Sequence, residues 1–312
     1  MKIRRWAAVA AASLFFLSAC ASDDLGSDDN SSSSSSGDKG AVTISGQSFP
    51  EATLVASMYQ QLLEHEGYQV TVQLVDTRDV YMGQFPGDVQ IVPEYVGGVL
   101  DFLNAKANGA DAASIVTSDA AESISAGEQL LSDAGITLLD PSTATDQNAF
   151  FVTQKYADDN GLTNLSDLSG KKVVLAAAPD CEGRPDCEGG LSNVYGIDIT
   201  KILPLGFASD QTYRSVLKDE SQLGLTSTTD GTLADQGLVL LNDDQGIQAA
   251  QNLVPAISTD WLADHEDVKD PLNKLMAALT TEKLTELNGR ISVDREQPDA
   301  VAQDFLSSEG LI

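Results

Sequence analysis

An α/β fold resting on more than one sheet follows from three features of this 312-residue chain. Alternating apolar runs, which fit strands, take turns with runs of helical spacing. The first three segments read strand, helix, strand, a unit that implies a parallel sheet. Most strands then end in polar, glycine-bearing loops: "SGQSF", "VPEYVGG", "AAPDCEGR" and "STTDG". Open α/β sheets bind ligands at the carboxyl ends of their strands, so these loops group the candidate site residues.

The elements follow in chain order. "AVTIS" (41–45) alternates as a short strand. A helix comes next, with Ser48 as its N-cap and Glu51 three residues on, in the pattern of a capping box. Leu54, Val55, Met58, Leu62 and Leu63 line one face of that helix, and Gly67 ends it. Residues 68–75 alternate as the second strand. "GDVQIVPEYVG" (87–97) reads as a strand ending in a loop, 113–132 as a helix and 136–140 as another strand. Strands are expected at 148–154, 171–178, "ITKILPLGF", "QLGLTSTTDG" and 238–244, with a helix at "DQTYRSVLK". The C-terminus is helical in pieces, at 270–279, 281–287 and 298–307. No internal repeat is visible.

The amino terminus stands apart. Lys2, Arg4 and Arg5 precede 14 uncharged residues, Trp6 to Ala19. That run is short for a bilayer span and suits the core of a signal peptide, 1–19. It ends in "LSAC" (17–20), which resembles the lipobox of bacterial lipoproteins. The resemblance implies that Cys20 is lipidated and that the protein is anchored on the extracytoplasmic face of the cell membrane. Residues 20–40, with six consecutive serines, read as a flexible tether.

Composition narrows the function. Asp and Glu number 47 against 18 Lys and Arg, a net charge of −29. Nucleic acid needs a basic face and is excluded as a partner. Beyond Cys20 two cysteines remain, Cys181 and Cys187, in "APDCEGRPDCEGG" (178–190). Outside the cytoplasm a disulfide is the default. A zinc site needs more ligands, and neither His65 nor His265 is near in sequence, so no metal and no cofactor is expected. Both histidines read as solvated surface, and no hydrolase, zincin or P-loop motif occurs, so an enzyme is not expected.

Six short motifs, in order, resemble the substrate-binding lipoproteins of osmoprotectant ABC importers, the OpuAC-like proteins for glycine betaine, choline and related solutes. They are "ISGQSFPEA" (44–52), "GDVQIVPEYVGG" (87–98), Ser166–Leu168, Arg184–Asp186, Thr228–Gly231 and the closing "ELNGRISVDREQPDAVAQDFLSSEGL". The resemblance covers nearly all of 41–312. It implies a two-lobed periplasmic-binding-protein fold, type II-like, with a ligand cleft between lobes joined by two crossovers. Lobe one is expected at 41–145 plus 231–312, and lobe two at 146–230. It also implies permease and ATPase partners in the membrane.

A quaternary ammonium cannot donate a hydrogen bond. It is recognised by aromatic faces and nearby oxygens. A betaine adds a carboxylate, which suits the fork of an arginine. By resemblance, Tyr95 and Phe150 are ligand-binding aromatics and Gln47, Asn148 and Thr228 polar contacts. Arg184, with Asp180 four residues before it, takes the carboxylate, and a Cys181–Cys187 staple fixes it in place. Each also has a plainer role open to it: packing for Tyr95 and Phe150, a cap or turn for Gln47 and Asn148. The family often carries aromatics where this chain has Val92 and Ser227; Tyr81, Tyr195 and Tyr213 are the candidates to compensate. Two further readings remain: a binding protein of this fold for another small solute, or a sensor that feeds no permease.

Overall fold

The computed structural model describes residues 39–312. The expected signal peptide, Cys20 and the tether up to residue 38 lie outside the described residues. The fold begins slightly earlier than expected. Lys39 donates its N–H to the Gly67 carbonyl and its ammonium meets Asp267 at 2.8 Å.

The first lobe opens with β1 (Ala41–Gln47), α1 (Pro50–His65), β2 (Gln69–Val75), α2 (Arg78–Met82) and β3 (Ile91–Tyr95). It continues through α3 (Val96–Asn108), α4 (Ala120–Ala134) and β4 (Ile136–Leu138). The second comprises β5 (Asn148–Thr153), α5 (Gln154–Asn160), β6 (Lys172–Ala177), α6 (Glu188–Asn193), β7 (Asp198–Pro204), α7 (Asp210–Leu217), β8 (Leu223–Ser227) and β9 (Leu238–Leu241). The chain then returns through β10 (Leu253–Ser258) to α8 (Thr259–Asp264), α9 (Lys269–Ala278), α10 (Thr281–Ser292) and α11 (Pro298–Ser308).

Two five-stranded sheets result, in the orders β2-β1-β3-β10-β4 and β7-β6-β8-β5-β9. In each, the strand that follows a crossing is the one that runs backwards. β10 is antiparallel to β3 and β4, and β5 to β8 and β9. One face of the first sheet packs on α1 and the C-terminal helices, through Leu54, Met58, Leu62, Met276 and Leu306. The other packs on α3 and α4 through Val92, Leu100 and Leu131. The second sheet splits its neighbours Phe150 and Phe151 between two faces, as strand alternation demands. Among the described residues no helix is long and apolar enough to cross a membrane.

Four expectations are corrected. Ser48 is not the N-cap of α1. Phe49 holds that position without a side-chain cap, because its ring has no acceptor to offer, and Pro50 opens the helix with the φ that the first turn requires. The loop after β3 is instead α3. Gly97 and Gly98 are there for close approach: a Cβ would lie 2.7 Å from the Ala250 carbonyl in one case and 2.4 Å from the Arg78 guanidinium in the other. The strand β10 was not expected. Its residues are all buried, so alternation is absent, and it contains Pro255. Pro255 pairs across from Pro93, where neither residue needs the other's N–H. Finally, the return to lobe one falls after 241, not at 230, because β9 belongs to the second sheet. Residues 228–231 do touch lobe one: Thr285 Oγ1 donates to the Thr228 carbonyl at 3.2 Å. The chain then turns back and buries Leu233 and Leu238 beside Phe151.

Candidate functional site

Strand direction brings the loops together. β1 and β3 are parallel, so Gln47 and Tyr95 end at one edge of the first sheet, where α1 begins with Phe49, Pro50 and Glu51. In the second sheet, the carboxyl ends of β6 and β8 place the 178–187 loop and Ser227–Asp230 at one edge. β5 runs the other way and starts there, with Asn148 paired to Ser227.

One cluster lies where the lobes meet. The partly exposed Tyr95 ring stacks near Phe49, with centroids 6.4 Å apart. Its hydroxyl donates to Glu51 Oε1 at 2.5 Å, and Asn288 Nδ2 from α10 donates to Oε2 at 2.6 Å. Asp146, on the first crossing, accepts from Thr229 Oγ1 at 3.2 Å. Burial first, then the charge of Asp146, push the Glu51 carboxyl up to about 7, against hydrogen bonds from Tyr95, Thr229 and Asn288. Burial also raises Asp146, opposed by Ser227 and Thr229.

The neighbouring Glu94 plays a different part. Arg78 grips it through Nε and Nη2, both at 3.0 Å, and Tyr81 donates to it. Glu94 also accepts the Tyr95 N–H at 3.1 Å, so the buried ion pair holds the end of β3 in place.

A second cluster surrounds the guanidinium of Arg184. Asp186 takes Nε at 2.9 Å and Nη2 at 2.6 Å, and Asp180 takes Nη1 at 2.9 Å. Asn148 Nδ2 donates to the same Asp186 carboxylate at 2.9 Å. Beneath them Cys181 and Cys187 are bonded and fully buried, with Cα atoms 5.3 Å apart. The ring anchors a loop of Gly, Pro and acidic residues in the core of the second lobe.

Not every expected residue reaches this edge. Gln47 does, at the last position of β1. Phe150 is only 1 % exposed and packs with Leu225, Leu241 and the disulfide, although it also borders the cavity beside the crossings. The Thr228 hydroxyl is used within the hinge: it donates to the Thr145 carbonyl and accepts the Gln147 N–H at 3.0 Å. Tyr81, Tyr195 and Tyr213 do not compensate for missing aromatics. All three are buried, with hydroxyls on Glu94, Asp243 and Asp230 respectively. Val92 faces the first core, whereas Ser227 lies at the site.

Glu51, Asp146, Asp186 and Asn288 were not singled out for the site. Three of them sit inside the quoted motifs, where Glu51 reads as a cap. The strand expected through "LPLGF" stops at Pro204, leaving Phe207 beyond it, 46 % exposed. Its loop crosses the ends of β6 and β8, through Gly206 N–H to the Ala177 carbonyl and Ala208 N–H to that of Leu225. A cavity of about 600 Å³ also opens beside the crossings, lined by Gln147, Asn148, Thr228, Gln248 and Thr285. It meets the Arg184 cluster at Asn148 and at Gln248, whose Nε2 donates to the Asp186 carbonyl; neither Tyr95 nor Glu51 lines it.

Two α/β lobes joined by crossings, with polar and aromatic side chains gathered where they meet, define a bilobal solute-binding protein. Residues 40–308 match the family model described as the substrate-binding domain of ABC-type glycine betaine transport systems, OpuAC. The chain belongs to that family of solute-binding proteins. It is 27 % identical over 281 residues to a glycine-betaine-binding protein of Pseudomonas aeruginosa, covering 86 % of this chain and 88 % of that one. The solved structure of apo YehZ from Escherichia coli is 26 % identical, with a TM-score of 0.72 over 87 % of this chain and 99 % of that one. A crystal structure described as a glycine betaine/carnitine/choline ABC transporter gives a TM-score of 0.74 at 21 % identity, over 86 % of this chain and 99 % of the other.

Proposed function

We propose that this protein captures a quaternary ammonium solute of the glycine betaine type between its lobes and delivers it to the permease and ATPase of an ABC importer. The observation that carries this is the partly exposed Tyr95, backed by Glu51 and flanked by Phe49, at the carboxyl end of β3. An aromatic face with anionic groups behind it suits a cation that cannot donate a hydrogen bond. Phe207 offers a second ring from the other lobe, and lobe closure brings it toward the first. Gln47, Asn148 and Arg184 supply polar contacts. Lipidation at Cys20 holds the protein on the extracytoplasmic face, and Cys20→Ala releases it into the medium.

Titration calorimetry with glycine betaine, choline and carnitine tests the ligand class. Tyr95→Ala should weaken the bound solute by about 2 kcal/mol, as for a desolvated cation–π contact, or roughly 30-fold in Kd. Unchanged affinity would assign Tyr95 to packing. Small-angle scattering should show a more compact protein with saturating solute, and an unchanged radius of gyration would count against closure.

A further inference from the structure

We propose that Glu51 and Asp146 form the counter-charge for the cationic head of the solute, and that a cation entering over Tyr95 expels a proton which the two carboxylates share. The inference rests on the ligand class proposed above and adds two residues and a proton to it.

The geometry of one network carries the argument. Thr229 Oγ1 donates to Asp146 at 3.2 Å, and Asn288 Nδ2 donates both to Glu51 Oε2 at 2.6 Å and to the Thr229 carbonyl at 3.1 Å, so Thr229 and Asn288 tie the two carboxylates together. Glu51 is only 5 % exposed, and two carboxylates in one desolvated place are held at lower cost with a proton on the pair. Asn288 points the same way. Its Oδ1 is the one buried side-chain polar atom without a hydrogen-bond partner among the described residues, so this corner holds more acceptors than donors.

No basic side chain appears among the groups acting on this pair. Tyr95 of β3 donates its hydroxyl to Glu51, and Glu94 behind it is neutralised by Arg78. α10 contributes neutral Asn288, and β8 and the segment after it contribute Ser227 and Thr229. Asp230 is turned away, accepting from Tyr213, Thr226 and Thr232. The N-terminus of α1 favours an anion at Glu51, whereas burial and the second carboxylate oppose one. The two histidines are elsewhere. His65 ends α1, about 21 Å along the helix from Glu51, and His265 stacks on Trp261.

A cation lodged against Tyr95 reverses the balance. It favours both carboxylates in their charged form, so the shared proton leaves for bulk solvent. A neutral solute of the same shape gains nothing from the pair, which makes Glu51 and Asp146 selectors for positive charge.

The test is calorimetry of the wild-type protein with choline and with glycine betaine at pH 7, in phosphate and in Tris. The two buffers differ in ionisation enthalpy, so the difference in heat counts the protons released. About half a proton per cation bound is expected, falling to near zero in Glu51→Gln and in Asp146→Asn. If binding lowers the midpoint of the pair by one pH unit, affinity should strengthen roughly fivefold between pH 6 and pH 8 in the wild type only. Tight binding with the same heat in both buffers and a flat pH profile would overturn the inference and leave the ligand class standing. Failure of every quaternary ammonium to bind the wild type would overturn both.

Discussion

Arg184 offers the sharpest test of how a carboxylate is told from a plain cation. Two aspartates occupy its guanidinium, and they are not equally hard to displace. Asp186 takes two of the nitrogens and also accepts from Asn148, while its carbonyl accepts from Gln248 at 2.9 Å. Asp180 takes Nη1 alone, and its side chain is 73 % exposed. An exposed pair of that kind contributes about 0–1 kcal/mol. On the function proposed above, a solute carboxylate would reach Arg184 by displacing Asp180, while Asp186 keeps the fork aligned. The bonds gained are charge-assisted and form in a drier place as the lobes close. Arg184→Ala should then weaken glycine betaine by about 2–3 kcal/mol, or roughly 30- to 150-fold in Kd. Choline has no carboxylate, and two aspartates freed of their cation attract it, so its affinity should hold or rise. Asp180→Ala should tighten glycine betaine by up to about 1 kcal/mol and leave choline nearly unchanged. Titration calorimetry of both variants with both solutes decides it. Equal losses for betaine and choline in Arg184→Ala would falsify the carboxylate role.

Three further outcomes follow from the geometry. Replacing Cys181 and Cys187 together by serine opens a small ring in the second core; thermal melting should show a loss of about 2 kcal/mol or more, and an unchanged melting point would mean that the staple adds no stability. Gly231→Ala places a Cβ 2.3 Å from Gly289 N, so the 227–231 segment must move off α10. That variant should bind its solute at least tenfold more weakly while keeping its far-ultraviolet spectrum, and wild-type affinity would show that the contact is not needed. The third concerns pH. The folded Glu51 carboxyl binds its proton more tightly than in the unfolded chain, so its contribution to stability is greatest below about pH 4.5 and is lost as pH rises toward 7. In chemical denaturation, Glu51→Gln should flatten the stability profile between those limits, and a slope identical to the wild type would remove the assignment.

Much of the fold was legible because it is encoded locally. Ile44, the buried face of α1 and the run through Val173 and Leu175 carry their own periodicity. The extra elements were hidden for physical reasons. β10 is buried on both sides and so lacks alternation, and α3 opens with two glycines that serve close packing and not a turn. The second crossing was misplaced because Thr228–Gly231 touches the first lobe without staying there.

The site divides in the same way. Sequence alone determined the acidity, the closeness of Cys181 and Cys187 along the chain and the motifs that hold Tyr95 and Arg184. Those properties depend on residue type and on neighbours within a few positions. Only the tertiary structure decided what each side chain faces. It committed Phe150 to the core and Thr228 to the hinge, set two aspartates on Arg184, and exposed Phe207. It also turned Glu51 from a helix cap into one half of a carboxylate pair. Its partners Asp146, Thr229 and Asn288 come from segments 95 to 237 positions away along the chain. Such a cluster forms only when two sheets and α10 pack together, and no local pattern in the sequence records it.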